Sequence, residues 1–403
     1  MSTTIRAAEQ PYPDLDEIGA GRPTTSRSRM ESIDLMRGIV IVLMALDHTK
    51  DFVATSTFDP LNADVTNLPA YLTRWVTHLC APTFCFLMGI SAYLAGRRKT
   101  KSELFTFLFF RGLWLVFLEL TVIKFGLQLS FSLDMTLALV FWSLGWSLVF
   151  LSALVLVPSR VVGAIGVVMI LGHNLLDGIQ PEIFGPLRPL WLILHERDVI
   201  ELTAHSKFLV AYPLIPWIGV AAAGFGFGEI MTLQPKRRQT VMIVLGLILI
   251  AAFVLLRTID VYGDPLKWSV KPSVLQTCFT YFNCQKNPAS LLYLLMTLGL
   301  MLILLSLLER PILPAAISRF LMTFGRVPFF FFVTHLYLIQ VVAFVAAAVR
   351  PFLSGIQPRT ETTFDLPIVY FWFIVVVTIM YFPCRWFAGI KARHKVVWWL
   401  SYL

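Results

Sequence analysis

Charge is scarce in this chain. Of 403 residues only 14% are Asp, Glu, Lys or Arg, against 57% hydrophobic, whereas a soluble domain carries about 25% charge and 45–50% apolar residues. Mean hydropathy is +0.74. A soluble fold of this length has too few charges to cover so much apolar side chain, and the same shortage excludes disorder, collagen and coiled coil. Five cysteines are too few for a disulfide scaffold, and with seven histidines they show no zinc spacing, so no metal is expected. No glycine-rich loop stands between a strand and a helix, which removes a nucleotide fold. The net charge of +9 lies in short clusters between apolar runs (Arg97–Lys101, Lys236–Arg238, Lys391–Lys395), the pattern of cytoplasmic loops. No nucleic-acid motif accompanies them, and nucleic acid is not an expected partner.

What the chain does have is long hydrophobic runs. Crossing ~30 Å of hydrocarbon takes about 20 residues. Ten runs qualify, near 36–53, 70–95, 104–127, 132–156, 160–176, 207–230, 240–257, 288–308, 327–349 and 366–388. The expected fold is all-α, a polytopic transmembrane bundle of about ten spans in a lipid bilayer. Residues 1–30 are polar and expected to be a disordered cytoplasmic segment. They lack a signal peptide's apolar core and cleavage site, so the first run reads as an uncleaved anchor. Residues 31–390 make the transmembrane domain and 391–403 a cytoplasmic tail. With the N-terminus inside, alternation leaves the excess of Lys and Arg inside, so both termini are expected in the cytoplasm, with connectors 177–206 and 258–287 outside. An amphipathic stretch at 312–324 is expected along the inner surface, with Arg319 facing headgroups. No internal repeat is evident.

Ionisable groups inside spans are costly and mark sites. In the first span, Arg37 and His48 are eleven residues apart and fall within ~20° of each other on the helix, ~16 Å apart along its axis. Asp34 and Asp51 flank them, making one polar stripe. Either residue alone is readily an anchor or a packed core group; four aligned together point to function. A guanidinium at the inner rim suits a phosphate, and an imidazole further along suits a general base or acyl carrier. Asp47 or Asp51 would hold its tautomer, Asp47 less well because it points ~100° away. His78 and His335 lie at comparable depth and are further candidates, against a structural reading as packed core histidines. Arg111 and Glu119, about two turns apart, read as an interior pair. Pro213 and Pro216 are expected to kink the sixth span, Gly219, Gly224, Gly226 and Gly228 to allow close packing, and Cys278 and Cys284 to remain free thiols.

Arg37 and His48 have ten residues between them, a spacing that resembles the Arg-x10-His signature of acyltransferase-3 membrane proteins. The run Ser32-Ile33-Asp34-Leu35-Met36-Arg37-Gly38 more closely resembles the opening of the heparan-α-glucosaminide N-acetyltransferase catalytic-domain family. Similar segments follow at 74–84, 86–89, 212–219, 286–291 and 325–328 with His335, over roughly residues 29–349. The resemblance implies an integral-membrane acyltransferase that moves an acyl group, acetyl by default, from cytoplasmic acyl-CoA to a sugar or glycan amine or hydroxyl at the outer face, in a bacterial cytoplasmic membrane. It implies a donor site at Arg37, Asp34 and Arg326, chemistry at His48, His78, His335, Asp47 and Asp51, and acceptor contacts at Lys286, Ser290 and Trp217. The loop at 54–69 contains no histidine, a departure from the family pattern, so the base at His48 rests on the Arg-x10-His spacing alone. The alternative is a proton-coupled secondary transporter using the same buried groups. A homo-oligomer stays open, because lipid-facing and partner-facing apolar surfaces read alike.

Overall fold

A computed structural model describes residues 29–54, 59–353 and 366–394. The expected disordered segment lies outside these except for its last two residues, which already belong to the first helix, and the tail beyond 394 lies outside as well. The helices are α1 (Arg29–Val53), α2 (Leu68–Gly96), α3 (Lys101–Gln128), α4 (Val140–Leu154), α5 (Ser159–Leu176), α6 (Arg188–Leu194), α7 (Leu214–Thr232), α8 (Pro235–Ile259), α9 (Val274–Phe282), α10 (Leu291–Leu308), α11 (Ala315–Arg326), α12 (Pro328–Leu353) and α13 (Leu366–Arg393). Eight (α2, α3, α5, α7, α8, α10, α12 and α13) are long and apolar enough to cross a membrane. The expected runs at α1 and α4 are helical as well but are not among these eight. α1 carries the polar stripe, and α4, with 15 residues, rises only about 22 Å. The all-α polytopic fold is therefore the one observed.

The helix starts are written in local chemistry. Thr100 and Glu103 form a capping box at α3, with Glu103 Oε2 accepting from the Thr100 N–H at 2.7 Å and Thr100 Oγ1 from the Glu103 N–H at 3.2 Å. Asn67 and Ser290 cap α2 and α10 by accepting from the N–H of Ala70 and of Tyr293. Two of the expected runs begin in the wrong state. Residues 135–138 and 206–210 form strands β1 (Met135–Ala138) and β3 (Ser206–Val210), joined by β2 (Val199–Thr203) in a small sheet ordered β1-β3-β2. β1 runs parallel to β3, with Met135 opposite Lys207, and β2 antiparallel, with Val199 opposite Leu209. Helix resumes only at Val140 and Leu214. Pro213 is thus the residue before α7 and Pro216 sits in its first turn, where a missing N–H costs nothing; neither proline kinks a span.

The bundle has two distinct ends. The basic end carries Arg97–Lys101 and Lys236–Arg238; the loop end carries the sheet, α6, α9 and the longer connectors. α10 and α7 are largely enclosed, while α8 and α13 keep most of their surface outward. The glycines of α7 pack closely, as expected: Gly224 against the backbone of Phe86 and Gly226 against Gly163. α1 is central, touching α2, α10, α11, α12 and α13. α11 packs hard against α1 instead of only lying along a surface. A Cβ on Gly38 would strike the Leu321 carbonyl, and one on Gly325 the Asp34 carbonyl. Arg319 is exposed. This glycine contact brings Arg326, at the end of α11, beside the first turns of α1.

Candidate functional site

The space between these helices holds a cavity of about 370 Å³ that runs along α1. Its wall at the basic end includes Arg37, Arg111, Arg326 and Lys391, with Ser91. Met44, Phe84, Met88, Leu115, Phe141, Leu144, Phe329 and Phe332 line the middle. At the loop end it reaches Asp47, His48, Thr77, Tyr212 and Lys286. A cavity within the ~300–1,000 Å³ of ligand sites, apolar along its length and polar at its ends, fits a long amphiphilic ligand.

At the basic end Arg37 donates to Asp34 at 3.2 Å and to the Ser91 hydroxyl. Asp34 is thereby a holder of Arg37. Arg111 was read from sequence as the partner of Glu119, and the structure separates them. Glu119 is fully buried in a π-turn of α3 and accepts from the backbone N–H of Phe141 at 2.7 Å and Trp142 at 3.1 Å. Two residues two turns apart stand about 12 Å apart along the axis, so the orphan N–H groups at the start of α4 are nearer partners. Lys391 was read as tail, yet α13 continues through Arg393 and turns Lys391 into the cavity. Arg111 and Lys391 are the basic-end cavity residues that sequence reasoning did not place there; an arginine well inside a span was the available signal for the first.

At the other end the His48 ring lies almost parallel to that of His335, the planes 11° apart, with Nδ1 of His48 2.8 Å from Nε2 of His335. His335 Nδ1 is 3.0 Å from the Phe331 carbonyl. That carbonyl can only accept, so His335 carries its proton on Nδ1 and accepts on Nε2. His48 must then donate from Nδ1, which leaves Nε2 of His48 as a free lone pair. The tautomer holder is His335 and neither aspartate. Asp47 is taken by Arg74, at 3.2 and 3.1 Å, and by Lys50 at 3.2 Å. Asp51 pairs with Lys50 at 2.9 Å, away from the cavity wall. Phe332 stands edge-on to both imidazoles, at 5.7 and 5.4 Å, and Phe141 packs on Phe332 at 4.3 Å. The Glu119 cap therefore sets the aromatic wall on which the histidine pair rests.

Of the other expected residues, His78, Ser290 and Trp217 fall outside this cavity wall. His78 sits in a 3-10 turn of α2, buried, with neither ring nitrogen hydrogen-bonded. Ser290 is a cap: its hydroxyl donates to Asp264 at 2.6 Å and accepts from the Tyr293 N–H at 3.1 Å. Trp217 is enclosed behind Tyr212, the ring centroids 5.3 Å apart. Tyr212 faces the cavity in its place. Lys286 does line the cavity and makes no ion pair among the described residues. Cys278 is exposed, Cys284 buried, and both are free. Among the described residues no group of His, Cys, Asp and Glu is arranged to hold a metal.

Fold and site together define a polytopic helical membrane protein with a lengthwise cavity, cationic at one end and bearing an imidazole pair at the other. Residues 29–257, more than half of the chain, match the family described as heparan-alpha-glucosaminide N-acetyltransferase, catalytic, and the chain belongs to that family. The matched span ends before Lys286, Arg326, His335 and Lys391. No curated protein matches the chain.

Proposed function

We propose that residues 31–390 form one acyltransferase domain that moves an acetyl group from acyl-CoA, entering at the basic end, to a sugar acceptor at the loop end. The single observation that carries this reading is the cavity's polarity, four cations at one end and a tautomer-held imidazole at the other. Arg37, Arg111, Arg326 and Lys391 offer charge to match the phosphates of CoA, and guanidinium groups bind phosphate bidentately. The apolar middle suits the pantetheine arm. The span from Arg37 to His48, about 16 Å, is of the order of that arm's reach. His48 Nε2 takes the acceptor's proton as the acceptor attacks the thioester carbonyl. Tyr212 and Lys286, beside it, are donors for the oxyanion that develops. His48 then returns the proton to the departing thiolate. The family name supports a glucosamine-type acceptor, and the positive-inside pattern supports a cytoplasmic donor side; a bacterial inner membrane belongs to the same proposal.

The interrupted helices, at the 3-10 turn of α2 and the π-turn of α3, are the feature a transporter would use. Such a transporter has no need of four cations gathered at one cavity end. The test is direct. Purified protein in detergent, given labelled acetyl-CoA and amino sugars, should release free CoA together with labelled product. Labelled acetyl-CoA that stays intact across all acceptors would end the acyltransferase reading.

A further inference from the structure

A second hollow, of about 210 Å³, opens at the loop end and shares no lining residue with the main cavity. One wall is the segment 61–64, between α1 and α2; the other comes from the connector after α8 and from α9 with the residues just beyond it. Both walls are held from beneath. Ala63 packs with the stacked rings of Tyr71 and Phe279, whose centroids are 4.2 Å apart, and the Tyr71 hydroxyl donates to the Phe279 carbonyl at 3.0 Å. Arg257, fully buried near the end of α8, donates to the carbonyls of Tyr281 at 2.9 Å, Leu266 at 2.6 Å, Thr280 at 3.0 Å and Asn283 at 2.8 Å. Loop stabilisation alone would account for that arginine, since it satisfies four carbonyls at once. The same clamp also fixes the surface that the loop presents.

That surface is polar and partly unspent. The Asn62 side-chain oxygen accepts from the Asp64 N–H at 3.0 Å, which leaves its amide nitrogen as a donor. Asn283 gives its amide nitrogen to the Leu61 carbonyl at 3.4 Å, which leaves its oxygen as an acceptor. Among the described residues these two atoms and the Ser269 hydroxyl have no hydrogen-bond partner. Charge is cancelled across the hollow, because Asp64 on one wall pairs with Lys271 on the other at 2.8 Å. Lys267 is turned to the Asp260 carbonyl at 2.7 Å, and Leu61 and Leu266 add an apolar patch. A free donor, a hydroxyl and a free acceptor, without net charge and beside an apolar patch, match a sugar ring, whose hydroxyls both donate and accept and whose C–H face is apolar. A phosphate would find no unpaired cation on these walls.

The hollow is also close to the chemistry. Asn283, on its wall, stands three residues before Lys286, on the wall of the main cavity, so at most about 10 Å of chain separates them. We propose that the hollow is a subsite for a further sugar unit of an oligosaccharide acceptor whose end unit lies at His48. This rests on the acyl-transfer reading above and deepens it: the acceptor is a glycan chain, held at two places, and a free monosaccharide fills only one of them.

The test uses the full chain in detergent with radiolabelled acetyl-CoA. Glucosamine is supplied as its methyl glycoside and as dimers to tetramers in α and β linkage, and kcat/KM is measured for each acceptor. In one linkage the oligomers should exceed the methyl glycoside by about tenfold or more. The double variant Asn62→Ala/Ser269→Ala should lose about tenfold of that advantage, the worth of two hydrogen bonds. Both positions are exposed, and a ratio taken within one protein does not depend on how much of it is folded. Oligomers no better than the methyl glycoside in either linkage, or an advantage undiminished in the double variant, overturn the subsite and leave acyl transfer standing. No labelled product from any acceptor overturns acyl transfer itself, and the subsite with it.

Discussion

His335→Ala removes the group that holds the His48 tautomer while leaving His48 in place. Without the acceptor at 2.8 Å, nothing keeps the proton on Nδ1, and the ring is free to place it on Nε2, the nitrogen required as base. A lost orienting partner of this kind costs on the order of 10²–10⁴ in turnover, and about 10² is expected here because the imidazole itself remains. Donor affinity should hardly change, since the cations that meet CoA lie about 16 Å along α1. Stability should fall by about 1–3 kcal/mol, the sum of a lost hydrogen bond and an unfilled site beside Phe331 and Phe332. The assay is steady-state release of CoA thiol, with a thermal melt of each variant. His48→Ala should lose about 10²–10⁴, and the double variant should be no slower than His48→Ala, because both act through one proton position. A folded His335→Ala protein with wild-type turnover, or a double variant slower by the product of the two single effects, would refute the relay.

Four further outcomes follow from particular contacts. Arg37→Ala, Arg326→Ala and Lys391→Ala should each raise the KM for acyl-CoA by about 10- to 100-fold with little change in kcat, since a charge-assisted contact contributes about 1.5–3 kcal/mol; a fall in kcat at constant KM would place these residues elsewhere. Gly325→Val should lower the melting temperature and weaken donor binding together, because the added side chain meets the Asp34 carbonyl and parts α11 from α1; intact binding would show that this contact does not position Arg326. Burial raises the Asp264 carboxyl above its ordinary value, partly opposed by hydrogen bonds from Ser290, Leu266 and Gln285. The folded state therefore holds that proton more tightly than the unfolded chain, so the group adds stability in acid that is lost as pH rises through the raised folded value, and Asp264→Asn should flatten the dependence of Tm on pH across that range. An impermeant maleimide should label Cys278 on sealed cells and should not label a cysteine placed at 237 in a cysteine-free background; the reverse pattern would invert the donor side.

All ten apolar runs correspond to helices, because a run of about 20 apolar residues has few alternatives to a membrane helix. Their ends were harder to read. Residues 135–138 and 206–210 continue the hydrophobicity of the runs that follow, and periodicity does not separate a four- or five-residue strand from the first turn of a helix. The stripe on α1 was readable because its members lie on one helix at fixed angles. His335 was readable as a candidate from its depth and from the family resemblance, but not as the partner of His48. Its role depends on a contact 287 positions away in sequence, which no local rule reaches. Arg111 illustrates the opposite error: helical spacing suggested Glu119 as its partner, while the carboxylate found a helix N-terminus on a different element.

The arrangement of cations follows from how the helices cross, and that gives the cavity its direction. Arg37 belongs to α1, Arg111 to α3, Arg326 to α11 and Lys391 to α13, so no single helix supplies the basic end. Like charges this close repel one another, and within a bundle they persist only where an anion or water offsets them. Asp34 is the carboxylate seen there, and it is occupied by Arg37. The opposite end lines its wall with one cation, Lys286, together with Asp47. On the acyltransferase reading proposed above, a polyanion with a neutral arm would enter with its phosphates at the basic end and its arm towards His48, since entry the other way would carry the phosphates past Phe141, Phe329 and Phe332. A donor bound in this polarity would bring its reactive end to the imidazole from inside the bundle and leave the loop end open to the acceptor. The two substrates of that proposal would then meet at His48 from opposite faces without sharing an entrance.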